Sequence, residues 1–219
     1  TSTKNTLSNT VKMTIDGGTY TGDIYCMYSN SSKLVNVQNA TFNGVYYNGG
    51  NNQSTLSNST VNGNLQNYTS EFTVNNTYIN EGRITNNGIM TMNDSTFTAI
   101  TYSTGYYYNQ SVAMSNSNEL TLNRTNVYIN TTENGKNSIA IYNDNILNVL
   151  DNSKVYIGNE NSNTIYKAIE TESRGITTID ASEIKATGGN TNYAIYMNSD
   201  TAKTIVKTGN IISEYASNG

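Results

Sequence analysis

Residues 33–44, KLVNVQNATFNG, recur in altered form along the whole chain, and this recurrence restricts the fold more than any other feature of the 219 residues. Anchored on Val37, nine units follow one another at Ile15, Val37, Leu56, Val74, Met92, Leu122, Leu150, Ile179 and Val206. Their spacings are 22, 19, 18, 18, 30, 28, 29 and 27 residues. Five places after the anchors stand Tyr20, Phe42, Val61, Ile79, Phe97, Val127, Val155, Ile184 and Ile211, all apolar or aromatic in a chain that is only 35% hydrophobic. The Leu150 unit is ambiguous by one residue, because Leu147 and Val149 alternate equally well.

Met13, Val35, Phe72, Met90 and Leu120 precede their anchors by two places. That spacing is the period-two alternation of a strand with one buried face. The residues just after the anchors (Asp16, Gln38, Ser57, Asn75, Asn93, Asn123, Asp151, Asp180, Lys207) are polar, and Asn and Asp tolerate the left-handed backbone of a tight corner. A further apolar cluster follows in most units, at Ile24, 45–47, Leu65, Ile84, 139–142, 165–169 and 194–197. Two or three short strands per unit, with no helical period, predict an all-β solenoid whose coils stack at roughly 4.8 Å, giving a rod of about 40 Å from nine coils. Coils of this length without a hexapeptide rhythm predict the right-handed parallel β-helix. Spacing divides the chain into shorter coils over 1–97 and longer coils over 98–219. Neither end reads as a capping helix, so the chain is expected to be a segment of a longer rod, with further coils beyond it.

The repeated φ-x-φ-(N/D)-x-x-(T/S)-φ-x-G unit resembles right-handed β-helices of the pectin-lyase-like superfamily, in particular bacterial surface adhesins and autotransporter passengers. The resemblance spans nearly the whole chain. It implies a non-enzymatic, extracellular adhesin or stalk at a bacterial cell surface, contacting host or neighbouring-cell glycans or proteins. It also implies an alternative, because polysaccharide hydrolases of this fold and phage tailspikes use clustered aspartates on neighbouring coils.

Composition narrows the chemistry. The chain has no His and a single Cys, Cys26, so Ser-His-Asp and Cys-His systems and ordinary zinc sites are excluded. Cys26 reads as a small buried hydrophobe in a strand. A net charge of −4 without any Lys/Arg run argues against nucleic acid. No apolar stretch is long enough to span a bilayer, and no cofactor is expected. If stacking sets Asp151 beside Asp180, two acids about 5 Å apart would suit retaining glycoside chemistry, whereas a turn ladder would have each Asp accept local backbone N–H groups. Glu170 and Glu172 read as solvated charges, since a lone pair supplies too few oxygens for Ca²⁺. Arg83, Arg124 and Arg174 adjoin no acidic cluster in sequence.

The step from 18- to 30-residue spacing falls on 98–118, TAITYSTGYYYNQSVAMSNSN. Extra length there must protrude or widen the cross-section, and insertions in solenoids concentrate binding. Tyr102, Tyr106, Tyr107 and Tyr108 are the candidate binding residues, because three consecutive tyrosines cannot all point inward from a strand. The competing reading is an aromatic ladder along the wall. Ten N-x-S/T sequons follow from composition alone. Thr19, Thr41, Thr60 and Thr96 align as a partial column, too broken at Tyr78, Asn126, Lys154 and Glu183 to suggest an ice-binding array.

Overall fold

The structure is a computed structural model, which describes residues 7–9, 12–26, 35–49, 53–68, 71–101, 110–131, 137–159 and 165–214. Three nine-stranded sheets, all strands parallel, wrap around one apolar interior as a β-helix. Sheet I collects the anchor strands, from Met13–Asp16 to Lys203–Val206. Sheet II runs from Thr19–Thr21 to Gly209–Glu214, and sheet III from Leu7–Asn9 to Thr191–Met197.

The register follows the sequence columns closely. Ile15, Val37, Leu56, Val74, Met92 and Leu122 stack in sheet I. The second column, from Tyr20 and Phe42 to Ile184 and Ile211, aligns in all nine coils of sheet II. In the seventh unit the residue paired with Leu122 and Ile179 is Val149, not Leu150. Leu147 and Val149 are fully buried, and the corner beyond them holds two left-handed residues, Asp151 and Asn152, which absorb the extra position.

The left-handed residues of the I–II corner lie one place later than the polar column predicts: Asn39, Asn58, Asn76, Asp94, Arg124 and Ala181 all have φ between 44° and 56°. Such a sharp corner turns backbone groups inward, where water cannot reach them. The next residue resolves this with a hydroxyl. Ser59, Thr77, Ser95, Thr125, Ser153 and Ser182 are buried. Each donates to a carbonyl at the end of its own sheet I strand, as Ser95 Oγ does to Asn93 O at 2.8 Å. Several also accept the corner N–H of the preceding coil, as Ser153 Oγ does from Thr125 N at 3.0 Å.

A second polar column lies inside the rod at the end of sheet III. Asn48, Asn67, Asn86, Asn116 and Asn143 are fully buried, and each Nδ2 donates to the Oδ1 of the next at 2.8–3.0 Å. Asn86 uses all four of its bonding positions: it also donates to Glu119 O at 2.8 Å and accepts from Gly88 N at 3.3 Å. The ladder ends where Asn143 donates to Thr177 Oγ1, itself bonded to Thr171 Oγ1 at 2.8 Å.

The longer coils grow in two sheets only. Sheet II strands lengthen from three residues (Tyr78–Asn80) to six (Thr96–Thr101), and sheet III strands from three (Ile84–Asn86) to seven (Gln110–Asn116). Sheet I keeps its five-residue strands across the step, Ile89–Asn93 and Glu119–Asn123. The added interior is filled by Ala99, Ile129, Ile157 and Ala186 from sheet II and by an alanine column, Ala113, Ala140, Ala168 and Ala194, from sheet III. At those alanines the strict alternation breaks, so that Val112, Ala113 and Met114 are buried consecutively.

One expectation is overturned here. Glu170 is not a solvated charge: it is 1% exposed and accepts from Lys167 Nζ at 2.9 Å. Lys167 is 6% exposed, and its Nζ lies 3.9 Å from the centre of the Tyr196 ring. Glu172 accepts from Asn198 Nδ2 at 2.8 Å.

Candidate functional site

The coil-length step leaves the longer coils overhanging the shorter ones. In sheet II, Thr98 still bonds back to the previous coil, through Glu81 N–H at 3.0 Å. Glu81 then adopts φ 60° and the shorter coil turns away, whereas the longer strand continues through Ala99 and Ile100. Alternation sends the backbone of Ile100 to the same side as that of Thr98, over the space the shorter coil has vacated. A groove of about 700 Å³ opens on this face.

The groove is built from two outward columns of sheet II. One runs Thr98, Tyr128, Tyr156 and the other Ile100, Asn130, Gly158, each pair of neighbours in register on successive coils. Tyr128 is 40% exposed and Ile100 37%, and the Tyr128 and Tyr156 rings stand 6.5 Å apart at 56°. Tyr156 is held by a 2.8 Å hydrogen bond between its hydroxyl and Thr187 Oγ1. Asn80 closes the lower end, accepting from Thr98 Oγ1 at 2.8 Å and donating to Asn62 Oδ1 at 3.2 Å. Glu81 is the one charged residue among the described lining residues. Chemically the described lining offers aromatic faces, amide donors and acceptors, and the Glu81 carboxylate. It suits reversible contact with a hydroxyl-rich or mixed polar surface.

Tyr102, Tyr106, Tyr107 and Tyr108 lie outside the described residues, as does the side chain of Cys26. The flanking strands end at Thr101 and resume at Gln110, so that segment joins the two overhanging sheets. Tyr128 and Tyr156 escaped the sequence reading, although a signal for them exists. The tripeptide Val-Tyr-Ile followed by a polar or small residue occurs in two successive units, with an inward Val127 or Val155 fixing the next tyrosine as outward.

The aspartates do not form the pair that stacking predicted. Val149 pairs with Ile179, so Asp180 follows the anchor directly whereas Asp151 sits one residue further along, in the left-handed corner. Asp151 Oδ2 lies 3.8 Å from Arg124 Nη1, and Arg124 also clamps Asp94 with bonds of 2.6 and 2.9 Å. The Arg124 guanidinium holds the Asp94 carboxyl below the usual carboxylate range. Asp180 accepts from Thr208 Oγ1 at 2.7 Å and lies 3.7 Å from Lys207 Nζ. Arg174 pairs with Asp144. The chain thus compensates these acids across coils, which sequence neighbours could not reveal.

The sequence matches no family model, no curated protein and no solved structure.

Proposed function

We propose that this chain is a non-enzymatic segment of a bacterial cell-surface or secreted adhesin or stalk, contacting host or neighbouring-cell glycans or proteins. The observation that supports this most is the groove at the coil step. Half-exposed Tyr128 and Ile100 cost solvation unless a partner covers them, and the amides beside them supply directional bonds. The rigid stack beneath holds them at a fixed spacing, so little ordering entropy is lost on binding. Aspartates engaged by Arg124, Lys207 and Thr208 fit a scaffold better than a pair of catalytic carboxylates. Further coils in a longer polypeptide and an extracellular location belong to the same proposal.

The test is a glycan array with a parallel cell-adhesion assay. Wild type is compared with Tyr128→Ala/Tyr156→Ala and with a variant carrying Tyr106→Ala, Tyr107→Ala and Tyr108→Ala. Loss of binding in the first variant, with an unchanged circular-dichroism melt, supports the groove. Equal binding by all three proteins removes both sites from the reading.

A further inference from the structure

The same step opens a second hollow, on sheet III, and its lining differs in charge. It has a volume of about 460 Å³ and lies where Gln110–Asn116 overhangs Ile84–Asn86. Gln66, Thr85, Gln110 and Ser115 supply amide and hydroxyl groups, and Tyr68 and Tyr142 supply rings. Arg83 is the sole charged residue among the described lining residues, on a chain of net charge −4. Its Nε donates to Val112 O at 2.9 Å, which orients the planar guanidinium within the hollow. Burial draws that guanidinium below its ordinary value, the signature of a cation held partly away from water.

An aromatic stack leads into this hollow. Tyr25 and Tyr47 rings are 5.4 Å apart, and Tyr47 and Tyr68 are stacked at 5.1 Å. Tyr68 is 43% exposed and belongs both to the stack and to the lining.

We propose that this hollow binds a carboxylated sugar, with Arg83 meeting the carboxylate, Gln66, Gln110 and Ser115 the hydroxyls, and Tyr68 the ring face. An extended glycan would place its neighbouring units along Tyr47 and Tyr25. Arginine suits the role because its planar fork matches a carboxylate, and a charge-assisted bond in a partly dry hollow is stronger than a neutral one. The inference rests on the reading of this rod as a glycan-contacting surface, and it adds the class of sugar.

Isothermal titration with 3′-sialyllactose and a hyaluronan tetrasaccharide, each against lactose, tests it. Wild type should bind at least one acidic probe and prefer it to lactose, with affinity falling as salt rises. Arg83→Gln should weaken that binding about tenfold to a hundredfold, and Thr85→Glu, which adds a carboxylate to the hollow without touching Val112, should weaken it similarly. Arg83→Lys should fall between Arg83→Gln and wild type. Failure of wild type to bind either acidic probe, or equal binding by a folded Thr85→Glu protein, overturns the inference. Binding of neutral glycans lost through Tyr128→Ala/Tyr156→Ala would still uphold the adhesin reading in that case.

Discussion

Glu170 and Lys167 show how much one pair of side chains depends on its surroundings. Both are nearly inaccessible, and Glu170 Oε1 has no hydrogen-bond partner among the described residues. Burial dominates over the Lys167 contact and raises the Glu170 carboxyl above its usual value. A carboxyl whose folded value is raised stabilises the fold fully below its unfolded value, near pH 4.5, and that contribution fades as pH rises through the folded value. Glu170→Gln should therefore gain stability relative to wild type as pH rises through that window, a trend readable from urea midpoints taken at several pH values. Removing one partner alone, as in Glu170→Ala, should cost about 3–5 kcal/mol near neutrality, whereas Lys167→Met/Glu170→Leu should be close to neutral. Equal losses in the single and double variants would contradict this account.

At the level of the element, the buried columns do different work. Aliphatic stacks supply the transfer free energy, about 1.5–3 kcal/mol for each buried Val, Ile or Leu. The asparagine ladder instead satisfies backbone at the III–I corner, since Asn86 and Asn116 each donate to the first carbonyl of the sheet I strand in the next coil. Asn86→Leu matches the ladder in size but strands at least Glu119 O and Gly88 N in the interior. Two buried groups at 1–3 kcal/mol each predict a loss of about 3 kcal/mol or more. Chemical denaturation measures it directly, and an unchanged midpoint would show the ladder to be incidental. The hydroxyl column at the I–II corner follows the same logic, and it explains why Ser or Thr follows the left-handed residue in six coils.

For the whole molecule, the decisive feature is the change of cross-section between the fourth and fifth coils. A solenoid is held by nearest-neighbour contacts, so its stability is a sum over coils and interfaces. At the step, three-residue strands meet strands of six and seven, and part of each long strand has no neighbour below. The step therefore joins a block of short-strand interfaces to a block of longer-strand ones, whose summed contributions differ. Phe97, fully buried just above the step, pairs with Ile79 below and Val127 above. Phe97→Ala should remove about 3–5 kcal/mol and divide unfolding into two transitions, with amide exchange speeding up in one block of coils first. A single sharp transition with uniform exchange would argue that the rod melts as one unit. The two hollows share this origin, because an overhang exposes both sheets that lengthen.

What the sequence determined by itself was the stack: nine units, a two-residue alternation, and a column that keeps register through every coil of sheet II and is buried from Phe42 to Ile184. Those features are local, since strand alternation and corner chemistry act over a few residues and repeat. The asparagine ladder was also present as a φ-x-N triplet in five coils (YYN, LQN, ITN, MSN and IYN), but only register shows that these amides face one another. Tertiary structure alone decided the one-residue offset of Asp151 from Asp180, the burial of Glu170, and the partners of Arg124 and Arg174. Each depends on which residues of successive coils lie side by side. At 18 to 30 residues per coil, an offset of one position is enough to exchange one neighbour for another. The repeat therefore fixes the rod. The groove on sheet II and the Arg83 hollow on sheet III arise from the one place where the repeat changes length.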